Sequence, residues 1–173
     1  MKGLRRIPRI LKINRVRGYT ISCLFNNGES RVIDFKKFFT IKKLRKNHPA
    51  IKLLNDIKEF RKVEIIEHTI GWRNVGIRSK DIDGNEQFYY FDLDPIVLYE
   101  NSEPDKSRSL KIGLMIRTER KRAGLTQDEL AKRSGTSKHY ISRLENDKSD
   151  IELLTLKKII EAGLGKDLKI EID

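Results

Sequence analysis

The chain contains few side chains of the types that carry out covalent chemistry. His48 and His68 are candidate bases, and the carboxylates that could support them are Asp34, Asp92 and Asp94. Their spacing matches neither a nucleophile with a base and a group that orients the base, nor a set of metal ligands. We therefore expect no enzymatic activity, no metal ion and no cofactor.

A second group of side chains is suited to hydrogen bonding rather than to catalysis. Within seven residues the chain carries Ser137, Lys138, His139, Ser142 and Arg143. Lys and Arg fit the acceptor edge of guanine, His can donate to an acceptor, and Ser can bond either a base or a phosphate. On an isolated helix, the same residues would more often form a solvated face. Whether these side chains bind a ligand therefore depends on the secondary-structure elements that position them.

The segment from Gln127 to Glu145 has the pattern of two short helices joined by a tight turn. Thr126 and Glu129 have the spacing of a capping box, and Gly135 suits a sharp turn. Ser137 is a good N-cap for a following helix that extends to about Glu145. Two helices that cross steeply need a small residue at their closest approach and apolar residues around it. Residues that meet this need are Leu130, Ala131, Ile141 and Leu144.

Further helices are predicted on both sides of this pair. A preceding helix ends at Gly124 and has apolar residues at Ile112, Ile116 and Ala123. A fourth helix begins at Asp150 or Thr155 and extends through Ala162. After it, residues 168–172 alternate between apolar and polar side chains, which predicts a terminal strand.

This arrangement resembles the phage repressor and Cro (XRE) family of helix-turn-helix domains. The segments that carry the resemblance are Gly124–Ala131, Ile141–Asn146 and Leu156–Ile159. It covers about 55 residues, and apolar, small, glycine and capping positions agree over four helices. The ending from Gly163 to Ile172 resembles the subset of the family that serves as antitoxins and small autoregulators.

The resemblance implies a division of roles among the polar residues. The start of the third helix would enter the major groove of double-stranded DNA. The residues expected to face DNA are Ser137, Lys138, His139, Ser142 and Arg143, and we expect Lys138 and Arg143 to contribute most to specificity. Gln127, Asn146 and Lys148 would contact the phosphate backbone. Arg120 and Glu145 resemble a structural pair that holds the first helix to the end of the third.

Three positions depart from the family pattern. Ser134 stands where a larger apolar residue is common, and Asp147 stands where Gly usually follows Glu-Asn. Asp adopts left-handed backbone geometry more readily than most residues, so we expect the turn to survive. Asp150 adds negative charge beside the expected backbone contact, which is expected to weaken the contribution of that loop to phosphate binding.

The first hundred residues have a mixed pattern of strands and helices. Strands are predicted at 10–16, 19–25 and 30–34, with a turn at Asn26–Glu29. Helical spacing follows over 35–60, interrupted at His48-Pro49. Further strands are predicted at 63–67, 74–78 and 87–91, the last two joined across Asp83-Gly84-Asn85. We expect Phe88, Tyr89, Tyr90 and Phe91 to be core and cross-strand residues rather than a platform for stacking bases.

This N-terminal segment resembles a small bacterial α+β domain family of unknown function. The residues that carry the resemblance are Phe25–Gly28, Val32–Asp34, Ile70–Trp72 and Asp94–Tyr99. Because the family has no assigned activity, it implies a fold and no mechanism. Ligand sensing, dimerisation and partner binding all remain open for this segment.

The predicted fold class is α+β with two domains. A small α+β domain covers 1–100, with a basic arm at 1–8, and a polar segment containing Pro104 is predicted to be a linker at 101–109. Residues 110–173 form an all-α helix-turn-helix domain of four helices with the terminal strand. The single cysteine, Cys23, lies in an alternating strand and is expected to be a buried small hydrophobe.

The net charge of +12 and a pI near 9.8 favour polyanionic partners. Residues 1–17 carry seven basic side chains and no acid, and a second basic run lies at 36–46. Two interpretations of both segments stay open: a solvated surface, and an extension of the phosphate footprint. No apolar run approaches the roughly 20 residues of a membrane span, so no membrane partner is expected. With no signal segment, we expect a cytoplasmic protein.

Two functional hypotheses follow from the sequence. The first is a transcriptional regulator that binds a palindromic operator as a homodimer and represses its own operon, as an antitoxin-like protein does. In this hypothesis the strand at 168–172 pairs with that of a second copy. The second is a protein-interaction module whose N-terminal domain binds a toxin or another partner, with DNA binding secondary.

Overall fold

The computed structural model describes residues 7–41, 44, 45 and 47–171. The chain divides into two compact units, Met1–Ser109 and Leu110–Asp173. Most of the predicted basic arm, residues 1–6, lies outside the described ranges, as do Lys42, Lys43, Lys46 and Ile172.

The N-terminal unit begins with an antiparallel sheet in the order β1-β2-β3-β7. Its strands are β1 (Ile10–Arg17), β2 (Thr20–Phe25), β3 (Ser30–Asp34) and the short β7 (Glu103–Pro104). Ile21, Cys23 and Phe25 of β2 are fully buried on the core side, as the alternation predicts. The turn between β2 and β3 contains Gly28 with a positive φ of 84°.

Three short helices follow: α1 (Phe35–Ile41), α2 (Pro49–Asn55) and α3 (Ile57–Phe60). The break predicted at His48-Pro49 is the start of α2, where His48 Nδ1 accepts a hydrogen bond from the Ala50 amide at 3.2 Å. Asp56 caps α3 in the same way, through the Lys58 amide at 2.8 Å. These caps satisfy amides that a helix start leaves without a partner.

A second antiparallel sheet has the order β4-β5-β6, from β4 (Glu64–Ile66), β5 (Thr69–Lys80) and β6 (Glu86–Asp92), and is followed by α4 (Pro95–Glu100). Trp72 of β5 is fully buried and donates a hydrogen bond from Nε1 to the Phe60 carbonyl at 2.7 Å. Phe35 and Phe60 pack edge-on or tilted against its ring. An aromatic cluster therefore joins α1, α3 and the second sheet in one core.

The far part of the β5–β6 hairpin corrects one prediction in part: the four aromatic residues 88–91 pair across the hairpin with β5, as expected, but they are not all core residues. Phe88 and Tyr89 are 45% and 44% exposed, and Ile77 opposite Tyr89 is exposed as well. Only Phe91, at the near end of β6, packs against the core. The four-aromatic run is therefore not a core strand, because beyond Gly76 neither face of the hairpin is covered within this unit.

The predicted linker at 101–109 is also corrected in part. Glu103 and Pro104 pair with β3, and Ser102 and Asp105 are buried. The polar side chains are satisfied there: Ser22 Oγ donates to Asp105 Oδ2 at 2.5 Å, and Arg31 Nε donates to Ser102 Oγ at 2.7 Å. A polar composition indicated a linker, but hydrogen bonding makes this segment the edge of a sheet.

The C-terminal unit contains α5 (Ile112–Arg122), α6 (Gln127–Ser134), α7 (Lys138–Glu145) and α8 (Leu153–Lys158), which continues as a π-helical turn at Ile159–Gly163. The fourth helix thus begins at Leu153 rather than at Asp150 or Thr155. The hydrophobic core of the C-terminal unit contains Ile116, Leu130, Ile141, Leu144 and Ile159. No helix within the described ranges has both the length and the apolar character needed to cross a membrane.

The described part of the predicted terminal strand, residues 168–171, does not form a strand. Leu168–Glu171 have no regular secondary structure, and Ile172 lies outside the described ranges. Leu168 packs against the helical core and Ile170 is exposed. Alternating side chains do not make a strand without a neighbouring chain to complete the hydrogen bonds.

Candidate nucleic-acid interface

Helix α7 presents one polar face and one apolar face. Ile141 and Leu144 are buried, while Lys138, His139 and Arg143 are exposed and Ser142 is half-buried. Residues four apart lie one above the other on a helix. Lys138 therefore lies beside Ser142, and His139 beside Arg143, in one polar patch on the side away from the core.

The start of α7 is fixed by local hydrogen bonds. Gly135 adopts the left-handed conformation with φ 64°, which ends α6 and turns the chain. Ser137 is then in an extended conformation, and its Oγ accepts a hydrogen bond from the Tyr140 amide at 3.1 Å. The side chain of Ser137 is thus used as a helix cap, as predicted.

The preceding helix, α6, is held at both ends. Thr126 and Glu129 form the predicted capping box, with the Glu129 carboxylate accepting from the Thr126 amide at 2.7 Å. Ser134, which departs from the family pattern, is buried and donates from Oγ to the Leu130 carbonyl at 2.7 Å. A Cβ on Gly163 would lie 2.6 Å from Leu130 Cδ1 and 3.3 Å from the Ser134 Cβ. The small residues allow the π-helical turn to approach α6 closely.

The pair of Arg120 and Glu145 is confirmed. Arg120 Nε and Nη2 donate to the two Glu145 oxygens at 2.6 and 2.9 Å, and both residues are buried. Burial alone would raise the pKa of Glu145, but hydrogen bonds from Arg120 and Gln127 outweigh it and hold this pKa below its ordinary value. The hydrogen bonds that Arg120 donates to Glu145 raise the pKa of Arg120. Both groups are therefore charged at neutral pH.

Gln127 is part of this pair rather than a free surface residue. It is half-buried, and its Nε2 donates to Glu145 Oε2 at 2.9 Å. An amide nitrogen has two hydrogens. One bond to Glu145 therefore orients the side chain and leaves a second donor, so the bond is compatible with the predicted phosphate contact.

Two hydrogen bonds connect α7 and the loop that follows it. Asn146 Nδ2 donates to the Ser142 carbonyl at 2.7 Å, and Arg143 Nη2 donates to the Lys148 carbonyl at 2.9 Å. Between them Asp147 has the left-handed φ of 52° that was expected of it. Asn146 and Lys148 are exposed. The structure therefore brings the predicted base-contacting residues and the predicted backbone-contacting loop together.

Two further contacts in the C-terminal unit were not predicted from the sequence. A Cβ on Gly113 would clash with the Leu144 carbonyl and lie 2.7 Å from Asp147 Oδ1, so α5 begins in direct contact with the end of α7. Asp128 forms an ion pair with Lys132 at 2.8 Å, and Lys138 also lowers the Asp128 pKa. A glycine one residue inside a helix was the available signal for the first contact.

Comparison with known proteins agrees with this geometry. The helix-turn-helix family model HTH_3 matches residues 116–163. No curated protein matches the chain. Among solved structures, the chain is similar to the wild-type restriction-modification controller protein C.Esp1396I, with 30% identity over 33% of this chain and 73% of that one, at a TM-score of 0.32.

The putative DNA-binding protein NE0471 from Nitrosomonas europaea ATCC 19718 is matched over 88% of this chain and 84% of its own. Its identity of 14% and TM-score of 0.34 establish no common fold. The assignment depends on the family match, which begins within α5 and covers α6, α7, α8 and the π-helical turn up to Gly163. Residues 116–163 therefore match the XRE-type helix-turn-helix family.

Proposed function

We propose that this chain is a sequence-specific DNA-binding transcriptional regulator that contacts base edges in the major groove with the helix 137–145. The observation that carries the proposal is the polar patch of α7, which the N-cap, the Arg120–Glu145 pair and the buried apolar face hold in place. In a helix-turn-helix domain, it is the start of this helix that enters the groove.

The roles of the eight residues differ in this proposal. Lys138 and Arg143 donate to guanine, and His139 and Ser142 bond neighbouring base edges or phosphates. Gln127, Ser137, Asn146 and Lys148 donate to phosphates and set the register of the helix on the duplex. Arg143 has five N–H donors and uses one on the Lys148 carbonyl. That bond orients its guanidinium and leaves donors for a base.

We further propose that the chain acts as a homodimer on a palindromic site. One recognition helix contacts only a few base pairs, and two copies separated by about 34 Å extend the contact to a second half-site. Sedimentation of the purified chain with and without a selected duplex tests this. A complex of two chains on one palindrome is expected, whereas one chain on a non-repeated site would contradict it.

The regulatory mode proposed is repression of its own operon, in the manner of an antitoxin-like autoregulator. A reporter fused to the DNA upstream of this gene tests it in cells. Expression of the wild-type chain should lower the reporter signal, and the variant Lys138→Ala should restore it. A signal that rises with the wild-type chain would instead make the protein an activator.

Exposed apolar side chains favour a second candidate function, a protein-interaction module with DNA binding secondary. Ile77, Ile82, Phe88 and Tyr89 are exposed on the β5–β6 hairpin. Such side chains mark contact sites for partners when they lie together. Purified product of an adjacent gene, such as a toxin, should bind the wild-type chain and lose affinity for Tyr89→Ser. Equal binding by Tyr89→Ser would contradict this role for the hairpin.

Selection of binding sites from random duplexes tests the main proposal. The wild-type chain should enrich one motif, and Lys138→Ala should relax the preference at one base position. Lys157→Ala is the matched control, because Lys157 is an exposed cation on α8 whose ion pair with Glu161 is long, at 3.8 Å. It should leave the motif unchanged. No enrichment by the folded wild-type chain would contradict the proposal.

A further inference from the structure

Strand β1 has an unusual pattern of inward and outward residues. Its core-facing residues are three apart: Ile10 pairs with Phe25, Ile13 with Cys23 and Val16 with Ile21. A regular strand alternates every two residues, and the change arises from two register shifts, between Ile10 and Lys12 and between Ile13 and Arg15. The bulges therefore determine which side chains leave the core.

Three of the β1 residues that lie outside the core are cations, beside the exposed Leu11 and the half-buried Asn14. Lys12, Arg15 and Arg17 pair with Leu24, Ser22 and Thr20, the positions of β2 that face away from the core. All three are exposed. From Lys12 to Arg17 the strand extends about 16 Å, at roughly 3.3 Å per residue. We call these three residues the β1 cation row.

The β1 cation row has no matching acids. Across the described ranges, none of the three lies within ion-pair distance of a carboxylate, although Arg73, Lys52 and Lys62 in the same unit all do. Hydrogen bonds from Ser107 and Ser22 hold the pKa of Asp105 below its ordinary value, and Arg15 adds a smaller effect, but both Asp105 oxygens are already bonded to those two serines. Asp34 lies across β2, roughly 10 Å from Arg17.

We propose that the β1 cation row binds the phosphate backbone of double-stranded DNA, so that the N-terminal unit adds a sequence-independent contact to the complex. The row is long enough to reach more than one phosphate, because one strand of a duplex presents a phosphate for each 3.4 Å of helix axis. The polar side chains beside the row are already used within the sheet: Asn14 donates to Ser22 and Ser30, and Thr20 donates to the Arg17 carbonyl. The choice of DNA as the polyanion rests on the proposed function of the C-terminal unit.

The test measures how binding depends on salt, using the full-length chain. The triple variant Lys12→Gln, Arg15→Gln and Arg17→Gln is compared with a control, Lys58→Gln, Arg78→Gln and Lys80→Gln, which removes the same charge from exposed positions elsewhere in the unit. Each is titrated against a 40-base-pair random duplex, against any selected duplex, and against vesicles containing phosphatidylserine.

The triple variant should reduce the slope of log affinity against log salt by about 2 to 3, since each phosphate contact contributes about 0.9. The control should reduce it by less than 1, and the base preference should be the same in both. If the wild-type chain shows no base preference but the triple variant still lowers the slope, the main proposal fails and this one stands.

Three results of the duplex titrations would overturn the proposal. These are an equal slope for the triple variant and the wild-type chain, the same loss in the control, and a wild-type chain that binds no duplex at all. Loss of vesicle binding in the triple variant, with duplex binding intact, would also overturn it and indicate a membrane surface as the partner. Circular dichroism of each variant confirms that the strands are retained.

Discussion

The guanidinium of Arg120 on α5 donates hydrogen bonds to both carboxylate oxygens of Glu145, the last residue of α7. A third bond, from Arg120 Nη1, goes to the Leu125 carbonyl at 2.7 Å, and Gln127 of α6 donates to the same carboxylate. One buried ion pair therefore joins α5, the turn after it, α6 and α7. The position of the polar patch of α7 depends on this pair.

Replacing Arg120 with Met should destabilise the C-terminal unit by about 3 kcal/mol, because it leaves the Glu145 carboxylate buried without its cation. Urea unfolding followed by circular dichroism measures the change. Arg122→Met is the control, because Arg122 is exposed and ion pairs of exposed side chains contribute little to stability. Equal effects of the two substitutions would show that burial of the pair does not matter.

Acid should destabilise the same unit through Glu145. Its pKa in the folded chain lies below the ordinary value of about 4.3 for Glu, so the unfolded chain takes up the proton first. The stabilisation is complete above that ordinary value and is lost as the pH falls through the folded pKa. As the pH is lowered from 7 to 3, the free energy of unfolding should decrease less for Glu145→Gln than for the wild-type chain. Parallel pH curves would rule out this linkage.

Gly113→Ala should separate the start of α5 from the end of α7. The added methyl group would overlap the Leu144 carbonyl, which belongs to the backbone of α7 and cannot move away as a flexible side chain could. We expect a loss of about 2 kcal/mol, the range of an overpacked core, and weaker binding to DNA. Leu114→Ala at the exposed neighbouring position should cost far less. A stable Gly113→Ala chain with normal DNA binding would contradict the close contact.

Cys23 should be unreactive in the folded protein. It is fully buried in β2, and burial raises the pKa of its thiol to about 12. A thiol reagent at pH 8 should therefore react slowly with the native chain and rapidly after denaturation. Fast labelling under native conditions would show that the first sheet opens, or that this strand is not part of the core.

The elements of the C-terminal unit were largely predictable because their ends carry local chemical signals. Thr126 with Glu129, Gly135 and Ser137 each form the cap or turn that their spacing indicates. The start of α8 lacks such a signal, since Glu152 makes no side-chain capping bond, and its predicted start was wrong. The hydrogen bond from Arg143 to the Lys148 carbonyl depends on the path of the loop after α7, and the spacing of residues in the sequence does not show that path.

The N-terminal unit was predicted less completely, for three physical reasons. Gly71 and Gly76 interrupt the apolar pattern, so only the middle of β5 was predicted. Helix α4 begins at Pro95 and has only 6 residues, too few for the spacing of its apolar side chains to indicate a helix. Strand β7 is polar and is stabilised by Asp105 and Ser102, whose partners lie more than seventy residues away in sequence.

Binding of the Arg143→Ala variant to a selected operator, measured beside every single-base variant of that operator, tests the DNA-contacting role of α7 most directly. The wild-type chain should discriminate at each half-site, and Arg143→Ala should lose about 1 to 3 kcal/mol at one base position only. The Lys157→Ala control should bind as the wild-type chain does. An equal loss for Arg143→Ala on all sequences would make Arg143 a phosphate contact, and no loss on any sequence would show that this face of α7 does not contact DNA.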